Sequence, residues 1–288
     1  MTVPTAPSHA APVTPVGIRA RELRAALRDG QFRLAYQVQV DHRHRAIGAE
    51  GLLRWDHPTR GAVPPGEFIP LAERTGLIVP IGRWVIETAC RQLAAWSLQP
   101  ATNGLRLSVN VSARQFAEPD FVAGVRQALA ASGANPARLQ LELTESLRLD
   151  DVDDCASKMR ALRTVGVGFA LDDFGLGHAS LTCLKRLPLD ELKIDRSFVR
   201  DVSTDTNDAA IVRTVIGMAN ALGMRVLAEG VEHAAQLEFL GRHGCTAYQG
   251  WLFGRPVPVA DFEGALHAWA ARGARTRPRP ARPIAAAA

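Results

Sequence analysis

The sequence has few cysteines and no long apolar run, and both features narrow its class. Among 288 residues there are only four cysteines, Cys90, Cys155, Cys183 and Cys245. Their spacing forms neither a CxxC pair nor another compact zinc-ligand pattern. We therefore expect reduced thiols and a cytoplasmic location. No apolar stretch approaches the ~20 residues of a membrane helix, so we expect no membrane insertion.

Both ends of the chain lack the residues that build a packed core. Residues 1–18 contain no Lys, no Arg and no continuous apolar block, so they do not fit a secretory signal and predict a disordered lead-in. Residues 272–288 consist mainly of Arg, Pro, Ala and Gly, which predicts a disordered tail. The folded unit is then residues 19–271, and because no Ser/Gly linker divides it, we expect a single domain.

The net positive charge of the chain arises from that tail. There are 34 Lys and Arg against 29 Asp and Glu, an excess that alone is typical of a nucleic-acid or acidic-lipid binder. The tail holds five arginines and no acid, which accounts for the whole excess. Because residues 1–271 are formally neutral, we expect no direct DNA binding by the folded domain.

Strand-length apolar runs recur along the domain, with mostly helix-like segments between them. The runs are residues 105–111, 139–143, 168–171, 191–194 and 225–228. Strands that alternate with helices indicate a parallel sheet, and at this length the leading fold is α/β, a TIM-like (β/α)8 barrel.

Acidic and amide residues lie near the ends of these runs and of segments 46–55 and 247–250. They are Glu50, Asn110, Glu142, Glu145, Asp172, Asp173, Glu229 and Gln249. A single acid after a strand is often only a helix N-cap, so the prediction depends on the whole set. A parallel barrel brings the carboxyl ends of its strands together. Gathered on one rim, these side chains would repel one another without a counter-charge.

Divalent cations would supply that counter-charge. Carboxylate and amide oxygens, without Cys or His among them, favour Mg²⁺ or Mn²⁺ over zinc. The adjacent pair Asp172 and Asp173 could serve two ions, and two ions stabilise the attacking and leaving oxygens of a phosphoryl displacement. Lys193, near the end of its own run, could hold the attacking water or neutralise developing charge. The residues therefore predict metal-assisted phosphodiester hydrolysis.

Ordered strings across about residues 20–268 resemble one known family. They are Glu50-Gly51-Leu52-Leu53-Arg54-Trp55, Pro65-Gly66-Glu67-Phe68-Ile69-Pro70 with Ala72-Glu73, Asn110-Val111-Ser112, Glu142-Leu143-Thr144-Glu145-Ser146, Asp172-Asp173-Phe174-Gly175, Leu192-Lys193-Ile194-Asp195-Arg196-Ser197-Phe198, Ala228-Glu229-Gly230-Val231-Glu232 and Gln249-Gly250-Trp251-Leu252-Phe253. Each string is a weak signal, but the ordered set resembles the EAL-domain family of cyclic di-GMP phosphodiesterases.

The resemblance implies a role for each matching residue. Glu50, Asn110, Glu142 and Asp172 would ligate one Mg²⁺ or Mn²⁺ ion, and Asp172, Asp173 and Glu229 would ligate a second. Lys193 would position the attacking water, Gln249 would support the metal and water network, and Glu145 would hold the loop after Asp173. Arg54, its neighbour Leu53 and also Gln249 would bind the substrate. The implied reaction opens cyclic di-GMP to linear pGpG, and the implied assembly is a homodimer.

Four substitutions depart from the family pattern. Gly51 replaces the Ala of the signature triplet, where we expect little effect because only a methyl group is lost. Val38 replaces a Pro, which loosens the constraint on φ in the entry strand. Leu176 and His178 replace a Thr and an aromatic residue after Asp173, where activity or its coupling to dimerisation could fall.

Two alternatives remain open from the sequence. One is a receptor module that binds cyclic di-GMP and signals through a partner without turnover. The other is a metallophosphoesterase with a different substrate. The complete set of acids and Lys193 favours the enzyme over the receptor, because a receptor needs neither a second metal nor a residue to position water.

Overall fold

The computed structural model describes residues 18–144, 152–175 and 181–266, without the side chains of 181–183. Several predictions therefore lie outside the described residues: the lead-in up to residue 17, the role of Glu145, the substitutions Leu176 and His178, and the tail. For these, and for the single-domain boundaries, the expectations above stay predictions.

The described residues form nine strands and ten α-helices. The strands are β1 (Phe32–Asp41), β2 (Ala46–His57), β3 (Gly61–Val63), β4 (Arg106–Val111), β5 (Leu139–Thr144), β6 (Gly168–Phe174), β7 (Glu191–Ile194), β8 (Arg225–Ala228) and β9 (Ala247–Gln249). The helices are α1 (Ala20–Arg28), α2 (Pro65–Thr75), α3 (Ile78–Ser97), α4 (Ala113–Ala117), α5 (Phe121–Ser132), α6 (Val152–Arg163), α7 (Leu181–Arg186), α8 (Arg196–Arg200), α9 (Thr206–Ala221) and α10 (Ala234–Arg242).

Eight of these strands close into a barrel, which confirms the TIM-like fold. The sheet order is β1-β9-β8-β7-β6-β5-β4-β2-β3, and β1 also pairs with β2, so β3 alone lies outside the ring. Neighbours from β2 through β4 to β9 are parallel. The expectation of a wholly parallel sheet is wrong for β1, which is antiparallel to both β2 and β9. The turn that links β1 to β2 is too short for a parallel crossover.

Alternate residues of the strands face two different environments. One set, such as Leu107, Leu141 and Leu192, joins the apolar core shared with the surrounding helices. The other set includes Glu142 and Lys193, which are also fully buried. Since successive strand residues point to opposite faces, the polar set lies inside the ring. A smaller apolar cluster packs α1 and α2 against the ends of β1 and β2.

In the part of the chain that the structure describes, no helix combines the length and apolar character required to cross a membrane. Of the described cysteines, Cys90 and Cys245 are buried free thiols.

Candidate functional site at the carboxyl end of the barrel

Four predicted acids and Lys193 come together at one end of the barrel interior. Glu50 lies on β2, Glu142 on β5, Asp172 on β6 and Lys193 on β7. Glu229 follows β8 directly, and its N–H donates to the Ile194 carbonyl at the end of β7. Because β2 and β7 are not neighbours in the sheet, a group that contacts both must lie across the inside of the ring.

The Lys193 ammonium is at the centre of this cluster. Its Nζ lies 2.6 Å from Glu229 Oε1, 2.7 Å from Glu142 Oε2 and 3.2 Å from Asp172 Oδ2. Glu50 Oε2 is further away, at 3.9 Å. The Lys193 side chain is 0% exposed, so the low-dielectric surroundings strengthen these interactions. One ammonium is therefore shared by four carboxylates from four parts of the barrel.

Amide side chains hold the Glu50 carboxylate from both sides. Asn110 Nδ2 donates to Glu50 Oε1 at 2.7 Å, and Gln249 Nε2 donates to Glu50 Oε2 at 2.6 Å. Burial by itself would raise the pKa of Glu50. The charge of Lys193 and these two hydrogen bonds outweigh it and hold the pKa of Glu50 below its usual value, so this carboxylate stays ionised.

Two other acids of the cluster, Glu142 and Glu229, have raised pKa values. Burial, together with the neighbouring acids, raises the pKa of Glu142 well above its usual range despite Lys193. Burial and the charges of Asp172 and Glu50 likewise raise the pKa of Glu229 to about 8. The acids in turn raise the pKa of Lys193 well above its usual value, although burial opposes them. The cluster thus carries more potential negative charge than its one cation neutralises.

Asp173 extends the cluster with unusual backbone geometry. Its φ is +56°, in the left-handed region that a non-glycine residue rarely adopts. Its N–H donates to Asp172 Oδ1 at 2.9 Å. Burial and the adjacent carboxylate of Asp172 raise the pKa of Asp173. The turn at the end of β6 therefore keeps two carboxylates close together at a cost in backbone strain.

The chemical type of the oxygen atoms in this cluster suits a hard divalent cation. They are carboxylate and amide oxygens, and among the described residues Glu142 Oε1 is buried without a hydrogen-bond partner. As the side chains stand, however, no group of three or more His, Cys, Asp or Glu in the described ranges is arranged to hold a metal ion. The Lys193 ammonium lies where the acids converge, so metal binding requires these side chains to adjust.

A pocket of about 280 Å³ adjoins the cluster through Asn110. Leu53 and Arg54 line it, together with apolar side chains of α2 and α3 such as Ile69 and Ile81. Arg54 Nη1 donates to the Leu53 carbonyl at 2.8 Å, which leaves the other guanidinium nitrogens to meet a ligand. The structure thus brings two of the three residues predicted to bind substrate, Leu53 and Arg54, to one pocket beside the acids. The third, Gln249, does not line this pocket and donates to Glu50.

Two glutamines of β1 were not predicted to belong to the site. Gln37 and Gln39 are buried and contact the Gln249 side chain at 3.1 and 3.0 Å. The available signal was a pair of polar residues two positions apart in the otherwise apolar stretch 34–40 of β1, which places both on one face. Asp195, which follows β7 directly, has a structural role, since its Oδ1 accepts from the Ser197 N–H and caps α8.

Comparisons with known proteins agree on one family. Residues 20–256 match the family model described as the EAL domain. The bifunctional diguanylate cyclase/cyclic di-GMP phosphodiesterase MucR of Pseudomonas aeruginosa is 47% identical over 242 residues, which cover 84% of this chain and 35% of MucR. The cyclic di-GMP phosphodiesterase PdeR of Escherichia coli is 39% identical over 241 residues, which cover 84% of this chain and 36% of PdeR.

Solved structures extend the agreement to the fold. The structure of the PaMucR phosphodiesterase in complex with c-di-GMP has a TM-score of 0.80 at 46% identity, and the match covers 84% of this chain and 98% of that one. The FimX EAL domain of Pseudomonas aeruginosa bound to c-di-GMP has a TM-score of 0.75 at 27% identity, over 82% and 95% of the two chains. The chain spans 35% and 36% of the length of MucR and PdeR. On the match over residues 20–256, this chain belongs to the EAL domain family.

Proposed function

We propose that this chain is a metal-dependent phosphodiesterase that hydrolyses cyclic di-GMP to linear pGpG. The observation that carries the proposal is the buried cluster in which Glu50, Glu142, Asp172 and Glu229 share the single ammonium of Lys193. Such an excess of buried acids is unfavourable unless cations compensate it. Relatives named cyclic di-GMP phosphodiesterases support the choice of substrate.

The acids would hold two Mg²⁺ or Mn²⁺ ions. We assign Glu50, Asn110, Glu142 and Asp172 to the first ion and Asp172, Asp173 and Glu229 to the second. The Asn110 amide already donates to Glu50 through Nδ2, and its Oδ1 is the atom that suits a cation. When bound, two such ions supply the positive charge that stabilises the attacking and leaving oxygens of a phosphoryl displacement.

Protein groups would orient the water and the substrate around these ions. Lys193 is the only cation that contacts the four acids among the described residues, and we assign it to the attacking water. Gln249 would hold Glu50 in place from the other side. Arg54 and Leu53, which line the adjoining pocket, would contact a phosphate or guanine of the substrate. Since a guanidinium binds phosphate in a planar fork, Lys could not fully replace Arg54.

Chromatography of the reaction with cyclic di-GMP tests the proposal directly. The purified chain is incubated with cyclic di-GMP and either Mn²⁺ or Mg²⁺, and the products are separated over time. We expect pGpG to appear only with a divalent cation. Tight binding of cyclic di-GMP without pGpG would instead identify a receptor module, and cleavage of other phosphodiesters alone would identify a different phosphoesterase.

Three further parts of the proposal need their own measurements. For Glu145→Ala we expect lost activity with a retained fold, and normal turnover would remove the loop-holding role. We also propose a homodimer, which light scattering of the purified chain tests. A cytoplasmic location is proposed from the reduced thiols, and cell fractionation tests it.

A further inference from the structure

We propose that Gln39 is a positioning residue that orients the Gln249 carboxamide and, through it, the Glu50 carboxylate. Its catalytic consequence rests on the function proposed above. The hydrogen bonds themselves belong to the unloaded chain, so the inference can be tested without turnover.

The direction of each hydrogen bond in this series is fixed by chemistry. An ionised carboxylate can only accept a hydrogen bond. The group that Gln249 presents to Glu50 Oε2 at 2.6 Å must therefore be its amide NH₂ group, Nε2. The carbonyl oxygen of the same carboxamide then points the other way. It accepts from Gln39 Nε2 at 3.0 Å. Gln39 therefore has to donate, and a side chain without a donor cannot replace it.

Strand register places the three side chains next to one another. Gln39 is the register partner of Gln249 across β1 and β9. Gln37, two positions earlier on β1, is the partner of Glu50 across β1 and β2. Gln249 donates to Gln37 Oε1 at 3.1 Å as well as to Glu50. The Gln249 carboxamide thus forms three hydrogen bonds, one through its oxygen and one through each of its two amide hydrogens.

The surroundings leave Gln39 little freedom. It is 4% exposed, so water does not readily substitute for a lost partner. On the facing strand, a Cβ added to Gly48 would lie 3.0 Å from Gln39 Oε1 and 2.9 Å from the Arg106 carbonyl. The absence of a side chain at Gly48 therefore provides the space that the Gln39 carboxamide occupies. Gly48 on β2, which has no side chain, and the buried carboxamide of Gln39 on β1 together set the orientation of Gln249.

The first experiment observes Gln249 in the chain without metal or substrate. In Gln39→Leu, we expect the side-chain NH₂ signals of Gln249 in ¹⁵N NMR to shift and to exchange with water about tenfold faster, the factor that loss of one hydrogen bond of typical strength gives. Gln39→Glu, which keeps the shape but cannot donate when ionised, should do the same and serves if Gln39→Leu does not fold. Unchanged Gln249 signals in a folded variant would overturn the proposal.

Gln140→Leu is the matched control. Like Gln39, Gln140 is a buried glutamine whose Nε2 donates to a buried polar side chain, in this case Glu191 Oε1 at 2.8 Å, but it lies at the other end of the barrel. We expect this variant to leave the Gln249 signals, kcat and KM unchanged. If it moved them as much as Gln39→Leu does, the effect would be a general response to a lost buried amide, and the positioning role would be overturned.

A double-mutant cycle tests whether Gln39 acts through Gln249. With cyclic di-GMP and Mn²⁺, we expect Gln39→Leu to lower kcat about tenfold with little change in KM. In a Gln249→Ala background the same substitution should have almost no further effect. A full additional loss there would overturn the proposal. If the wild-type chain does not cleave cyclic di-GMP, the proposed function fails, while the NMR result still decides the role of Gln39.

Discussion

The two ends of the barrel interior differ in how their buried acids are neutralised, although strands β5 and β7 contribute residues to both ends. At the carboxyl end, Glu142 of β5 and Lys193 of β7 belong to a cluster in which four acids share one ammonium. At the amino end, Gln140 of β5 donates to Glu191 of β7 at 2.8 Å. On β5, Gln140 and Glu142 are only two positions apart, and the same is true of Glu191 and Lys193 on β7.

The amino end is balanced locally. Glu191 also lies 3.4 Å from Arg225 Nη2, while Asp190 is 2.8 Å from Arg163 Nη1 and accepts from the Phe169 N–H at 2.9 Å. Each of these two acids has its own arginine, which is the arrangement expected of charges that stabilise a fold. At the carboxyl end the acids exceed the cations, so that end is fitted for an ion that the chain itself does not supply.

The largest expected effect is the loss of turnover when one acid of the carboxyl end is removed. We expect Asp172→Ala to lower turnover of cyclic di-GMP by about a thousandfold, the upper range for removal of one group that stabilises charge in a transition state. Glu50→Ala should behave similarly. Glu191→Gln is the control at the amino end and should keep turnover near the wild-type rate. Wild-type rates for Asp172→Ala at saturating Mn²⁺ would refute the ligand assignment.

Removal of the shared ammonium should be the largest effect on stability. We expect Lys193→Met to lower the free energy of unfolding by about 3–5 kcal/mol in metal-free buffer at neutral pH, because it leaves several buried acids without a counter-charge. Urea unfolding measures this change. Added Mn²⁺ should recover part of the loss, since it binds the folded state preferentially. A variant as stable as the wild-type chain would mean that the acids do not depend on Lys193.

The pH dependence of stability should reveal the raised pKa of Glu229 at the carboxyl end. Glu229 has a pKa raised from 4.5 to about 8, so the folded chain holds this proton more tightly than the unfolded chain does. Its contribution to stability therefore decreases as pH rises from about 4.5 to about 8. In metal-free buffer, Glu229→Gln should flatten the fall in Tm over that range by a few degrees. An identical slope in the variant would contradict the raised pKa.

The smallest expected effect belongs to the amino end. The Arg225 side chain is 38% exposed, so solvent weakens its pairing with Glu191. We expect Arg225→Gln to cost about 1 kcal/mol or less in unfolding free energy and to leave turnover unchanged. A strong loss of activity would show that the amino end contributes to the reaction and would remove the contrast between the two ends.

The strands that lie between helices could be predicted closely from the sequence. The predicted runs at 191–194 and 225–228 have the same bounds as β7 and β8, because each is a short strand-like segment that helix-like sequence limits on both sides. The direction of β1 could not be predicted in this way. The short turn to β2 accounts for the antiparallel pairing with that strand, but the pairing with β9 is a property of barrel closure rather than of local sequence.

The features of the candidate site also differ in whether local sequence or strand pairing determines them. Glu142, Asp172 and Glu229 could be predicted because each lies near or directly after the end of a strand, where a barrel gathers such residues regardless of strand order. Glu50, in the middle of β2, lacks that signal. The link from Gln39 to Gln249 could not be predicted, since it joins residues 210 positions apart and requires knowledge of which strands are neighbours. The central place of Lys193 among four acids likewise depends on side-chain directions inside the closed ring.

The closure of the ring by β9 has a consequence for how the protein is made. Glu50 and Gln249 are 199 residues apart, which at ordinary ribosomal speeds is about 10–40 s of synthesis. Until residues 247–249 emerge, β1 and β8 are open sheet edges, and open edges can pair with other chains. The nascent protein therefore passes through a period in which most of its strands exist but its ring does not. A chaperone that shields strand edges would be most useful during that interval, and the candidate site is among the last parts of the barrel to form.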